Sequence, residues 1–258
     1  MVTFGSILYV ILPLILVFIL LTKKDRFESD SSFWINQKWQ CFDVLLIVIC
    51  LSSFQLVALF LGKFGIVNYY HIFIYGNFLS KVALGILLFG LLYYKYKNNF
   101  TVIGLSNRGF LTKVAIGLAA FFFYSLFIIV LSFLVSSESI LYIWSQFFIN
   151  IKLNQWPFLD SFIYIFGLVI LTPFVEECVF RGFMYSPFQR KIGEVGSICL
   201  TSIIWAVAHF QIKSLLSLFV IGIILCYLYK RTKSLIPGII AHSMMNISNL
   251  LIYAYLTT

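Results

Sequence analysis

The sequence predicts an all-α, polytopic transmembrane helix bundle of about eight spans, and three observations predict it. The chain has 258 residues, of which 62% are hydrophobic and 10% charged, too little charge to coat a soluble domain of this length. The mean hydropathy is +1.02. Its apolar residues come in blocks close to the roughly 20 helical residues that cross a hydrocarbon core about 30 Å thick. Its basic residues stand in short clusters between those blocks, as membrane topology signals do. Helices are the expected spanning element, because lipid cannot satisfy open backbone groups and no run alternates like a barrel strand.

The spans are expected near Ser6–Thr22, Phe42–Leu61, Ile72–Tyr94, Lys113–Val135, Phe158–Gln189, Val195–Ile212, Leu215–Tyr229 and Ser234–Tyr255. The first reads as a retained span rather than a signal peptide. No basic residues precede it, and Lys23, Lys24, Asp25 and Arg26 follow it in place of a small-residue cleavage site. The fifth is too long for a simple crossing, since Phe158–Gln189 would reach roughly 48 Å as a straight helix. Pro173 in its middle frees a carbonyl one turn earlier and predicts a kink or break. Ser136–Pro157 is expected to be an interspan loop with room for a short interfacial helix, Trp144 and Trp156 lying at headgroup level. The organisation expected is one integrated membrane domain. Residues 1–157 supply about four spans and a loop, and 158–258 form a core of about four spans.

Thirteen basic residues fall on one set of loops and span ends and four, Lys63, Lys81, Lys152 and Lys213, on the other. The larger set belongs in the cytoplasm by this count, which places both termini outside. The net charge of +9 is thereby absorbed by topology. No contiguous basic stripe backed by a soluble fold exists, so a nucleic-acid partner is not expected. Five cysteines, Cys41, Cys50, Cys178, Cys199 and Cys226, show no paired spacing and read as small buried apolar residues.

The chemistry lies in the few polar groups inside spans. Of nine acidic residues only Glu176 and Glu177 sit within an apolar segment, with Arg181 just beyond. Charges there are costly and face a protein interior or a wet cavity. Glu177 and Arg181 are four apart on one helix face and can pair. Glu176 is turned about 100° away. Left without a cationic partner it would be free to take and return a proton. A single buried ion-pair network of all three is the structural alternative. Two of three histidines, His209 and His242, also lie inside spans, and Asn246 shares a helix face with His242. His71, beside Tyr69 and Tyr70, is expected only at an interface. A glutamate base, a histidine and a His–Asn donor pair suffice for amide hydrolysis. Alternatively Glu176, His209 and His242 would hold zinc with water in the fourth position, although no His-Glu-x-x-His motif is present. The residues alone leave both open, so the cofactor is either none or zinc.

The run Glu176-Glu177-Cys-Val-Phe-Arg181-Gly182, then Trp205-Ala-Val-Ala-His209, then His242-Ser-Met-Met-Asn246 resembles the three motifs of the CPBP family. These are the CAAX-prenyl-protease-like and bacteriocin-processing intramembrane proteases, also called Abi and commonly labelled metalloproteases. Gly222 through Arg231-Thr-Lys-Ser-Leu-Ile-Pro237 also resembles the family's approach to its last histidine, and the resemblance covers about Pro173–Asn249. Trp205 departs from the Phe more usual there; both are bulky aromatics. The resemblance implies Glu176 as general base assisted by His209, with His242 and Asn246 stabilising the oxyanion and Glu177 and Arg181 in support. It implies a lipid-embedded endopeptidase, bacterial in character, acting on a membrane-associated peptide or protein. Oligomeric state is left unspecified. A non-catalytic immunity or regulatory scaffold of the same family is the alternative, and a proton-relaying transporter ranks behind both because no paired repeat is present.

Overall fold

The computed structural model describes residues 37–64, 71–97, 99–134, 156–209 and 214–257, together with Ile15 and Ile19. The expected span at Ser6–Thr22 and most of the expected Ser136–Pro157 loop, Trp144 included, lie outside the described residues. Every regular element among the described residues is helical. Helix α1 spans Cys41–Lys63, and α2 spans Asn77–Tyr96 behind a π-helical turn at Ile72–Gly76. A short tight turn at Phe100–Ile103 leads to α3, Phe110–Leu134. A long helical run then comprises α4 (Phe158–Phe166), a π-helical turn (Gly167–Leu171), α5 (Thr172–Glu177), a second π-helical stretch (Cys178–Met184) and α6 (Tyr185–Val207). Helices α7 (Leu215–Thr232) and α8 (Ile236–Thr257) complete the fold.

Among the described residues, four helical stretches are long and apolar enough to cross a membrane, over 74–95, 110–130, 158–207 and 215–232; α1 and α8 carry shorter apolar stretches. The chain is an integral membrane protein. Helix α6 packs along α7, and α8 lies between α3, α7 and α5. These contacts need small residues. A methyl group on Gly222 of α7 would stand 2.8 Å from Ser202 Cβ, and one on Gly117 of α3 would stand 2.6 Å from the Pro237 carbonyl.

Two breaks in the long run set the positions of its polar residues. The disruption predicted at Pro173 is present as the widened turn just before it, rather than as a sharp kink. The loop expected between the fifth and sixth spans is instead a fold-back around Gly193, whose φ of 73° and ψ of −179° suit glycine alone. Chain reversal there brings Trp205 back to the level of Glu176 and Arg181.

Of the basic residues assigned together from sequence, Lys95, Arg190 and Lys230 form ion pairs and hydrogen bonds around the segment before α1 and Glu194. Lys95 pairs with Asp43 at 2.5 Å, and Lys230 pairs with Glu194. Arg190 donates to the carbonyls of Gln37 and Trp39, and the Gln37 amide reaches Val102 O at 2.8 Å and the Tyr229 hydroxyl at 3.0 Å. Trp39 is fully buried, its ring 4.0 Å from that of Phe183. The segment before α1 is thereby clamped onto the widened stretch after Glu177.

Candidate active site

Glu176 and Glu177 end α5, and the chain widens into a π-helical stretch directly after them. Such turns spread side chains more than an α-helix does and are frequent where a helix carries function. Both carboxylates are buried, and they turn to different partners.

Glu177 forms the structural pair the spacing predicts. Its Oε1 accepts from Arg181 Nη1 at 2.8 Å and faces His242 Nδ1 at 3.3 Å. Arg181 is wholly buried; its Nη2 donates to the Gly222 carbonyl at 3.3 Å and its guanidinium lies 5.2 Å from the Trp205 ring centre. Gly238 permits this closeness, because a methyl group there would stand 2.7 Å from Glu177 Oε2. One turn on from Gly238, α8 presents His242.

Glu176 departs from the expectation of a carboxylate without a cationic partner. Its Oε1 meets Lys81 Nζ of α2 at 2.6 Å, and its Oε2 accepts from the Trp205 indole N–H at 2.8 Å. The sequence assigns Lys81 only to topology, and 95 residues separate it from its partner. No local spacing signals that contact; its one trace is a lysine inside the apolar run Phe78–Leu92. The Trp205 departure also has a meaning that bulk alone does not suggest, since a phenylalanine has no donor to offer.

His209 closes α6, and its ring packs edge-on to Trp205 with centroids 4.4 Å apart. Its Nδ1 lies 2.8 Å from the Trp205 carbonyl. A carbonyl only accepts, so Nδ1 carries the hydrogen and the neutral ring keeps an accepting lone pair on Nε2. His242 is buried, 5.5 Å from Trp205 between ring centres. Its Nδ1–H points at a carboxylate, leaving Nε2 as the other polar edge. Both imidazoles lie within electrostatic reach of Glu176. His71 is exposed, its ring stacked beside that of Tyr75.

Asn246 Nδ2 donates to the Leu168 carbonyl at 2.8 Å. The widened turn explains this bond. Thr172 N–H reaches back five residues to Gly167 O, so the next donor, for Leu168 O, would be residue 173. That residue is proline and has no N–H, and the amide of Asn246 takes its place. One hydrogen of the Asn246 amide remains for other use.

The donor set does not fit zinc as it stands. Among the described residues no three His, Cys, Asp or Glu side chains converge as metal ligands. The Lys81 ammonium, 2.6 Å from Glu176 Oε1, would also oppose a dication beside it.

Glu176, Glu177, Arg181, Trp205, His209, His242 and Asn246 all fall in residues 158–248, which match the family model described as Type II CAAX prenyl endopeptidase Rce1-like. The matched stretch is the one that carries all three motifs resembling the CPBP family, and it covers under half of the chain. Over 77 residues, 30% of this chain, it is 32% identical to "Putative membrane peptidase YdiL" of Bacillus subtilis (strain 168). The aligned stretch covers 32% of that relative's length. No solved structure matches the chain. Lys81 lies outside the matched segment, on a helix that the match does not reach.

Proposed function

We propose that this protein is an intramembrane endopeptidase that hydrolyses an amide bond in a membrane-associated peptide or protein. What carries this reading is the Glu176 carboxylate, buried at a meeting of α2, α5 and α6, with the His209 and His242 rings packed against the indole that donates to it. The kinship of residues 158–248 with CAAX prenyl endopeptidases, and with a protein named as a membrane peptidase, supports the same reaction class.

In the mechanism proposed, a water molecule gives its proton to Glu176 while its oxygen attacks the scissile carbonyl carbon. His209 accepts a hydrogen bond from that water through Nε2. The second Asn246 hydrogen donates to the oxyanion as it forms, and so does His242 Nε2 when the ring, its Nδ1–H held by the Glu177 carboxylate, carries a second proton. Glu176 then returns the proton to the leaving nitrogen, the C–N bond breaks, and the carboxylate is restored. Two donors already engage the carboxylate, yet each oxygen has a second acceptor site, so water can still be received. Glu177 and Arg181 hold the His242 ring in place and touch no reacting atom.

The test is cleavage by protein purified into liposomes, presented with quenched-fluorescent peptides that span the bilayer. Glu176→Gln and His242→Ala are each expected to lower turnover at least about 100-fold while the protein still inserts. Normal turnover in both variants would refute the assignment.

A further inference from the structure

We propose that Lys81 is a positioning residue for the general base, so that α2, outside the matched segment, completes the catalytic unit. This rests on the peptidase reading above. Three contacts join α2 to α5. Lys81 meets Glu176 at 2.6 Å, Gly85 lies against Val175, and the rings of Phe89 and Phe174 stack 6.4 Å apart. Lys81, Gly85 and Phe89 recur every four residues along one face of α2, and that face packs on the Phe174–Glu176 stretch of α5. The packing delivers an ammonium to one carboxylate oxygen while the Trp205 indole, from α6, holds the other.

The pair is not sealed like the one beside it. Lys81 and Glu176 side chains are 17% and 10% exposed, whereas those of Arg181 and Glu177 are 0% and 1%. Of the two adjacent glutamates, then, one is locked in packing and the other is held at an edge that water or substrate can reach. Two donors from two different helices fix the carboxylate plane. With both in place, the unused acceptor sites of Glu176 have one direction, which is what a base needs to meet an attacking water. A flexible lysine alone would not fix that plane; the indole opposite it supplies the second point.

The experiment uses the full chain in liposomes and a peptide that wild type cleaves and Glu176→Gln does not. Lys81→Met is expected to lower kcat about 100-fold with KM unchanged. Lys81→Arg, which keeps a cationic donor, is expected to retain most of the turnover. Ethylamine added to Lys81→Ala is expected to restore part of the lost kcat within the same preparation, which a purely structural role would not allow. Should Lys81→Met fail to insert, the amine rescue of Lys81→Ala decides alone. In parallel, a hydrophobic carbodiimide is expected to join Lys81 to Glu176 as an isopeptide, detected by mass spectrometry without reference to activity. If wild type cleaves and Lys81→Met matches its kcat, or if Lys81→Ala loses activity that ethylamine does not restore, the positioning role is overturned and the peptidase reading stands. If wild type cleaves none of the peptides, the peptidase reading falls and the positioning role with it, whatever the isopeptide shows.

Discussion

Adjacent glutamates in this chain meet opposite fates because the helix turns them onto different neighbours. Glu177 is sealed between Arg181 and His242, with one oxygen that has no hydrogen-bond partner among the described residues. Removing one member of such a pair strands a buried charge. Arg181→Ala is expected to cost about 3–5 kcal/mol, read as a lower unfolding temperature in detergent and poorer accumulation in membranes. Trp205→Phe is the gentler change. It keeps the ring packing against His209 and removes the indole donor to Glu176, so turnover is expected to fall about tenfold with little loss of thermal stability. Equal stability and equal turnover in that variant would show the indole bond to be idle. The Glu177–Arg181 pair is legible in the sequence because helical spacing alone creates it. Lys81 and the Trp205 donor are not, because each partnership is made by tertiary contact across 95 and 29 residues.

Within the long helical run, one missing backbone donor ties two elements together. Pro173 leaves the Leu168 carbonyl without its helical partner, and Asn246 of α8 supplies an N–H instead. Asn246→Ala is therefore expected to destabilise the protein by about 1 kcal/mol. Pro173→Ala, which restores an N–H at the right place, should reduce that penalty in the double variant, a coupling a thermal-unfolding double-mutant cycle would read. Additive losses would dissociate Asn246 from the proline. Gly238 is the other sensitive point. Gly238→Ala would drive a methyl group into Glu177 and push α8, with His242 one turn on, away from α5. The disturbance at Pro173 can be foreseen, since its chemistry is local. Its form as a widened turn, and the identity of the residue that repairs it, depend on where α8 packs and cannot. The fold-back at Gly193 reads as a loop in the sequence because its signal is one glycine among residues that otherwise continue the helix.

Across the whole molecule, the segment that matches the family model holds the motif residues, and an earlier helix brings the ammonium that meets Glu176. The membrane-embedded helical bundle is legible from hydropathy, because burial in lipid leaves a compositional mark on every span. Lys95, Arg190 and Lys230, three of the basic residues grouped together from the sequence, bind Asp43, the 37–39 segment and Glu194. Expressed alone, residues 158–258 are expected to lack cleavage, and co-expression with residues 1–157 should restore it, because Lys81 then rejoins the site. The central claim is that Glu176 does chemistry rather than packing. Its most direct test compares peptides released in native membranes by wild type and by Glu176→Ala at matched protein levels, using mass spectrometry. A product present with wild type and absent with the variant is the predicted result; identical peptide profiles from the two membranes would contradict it.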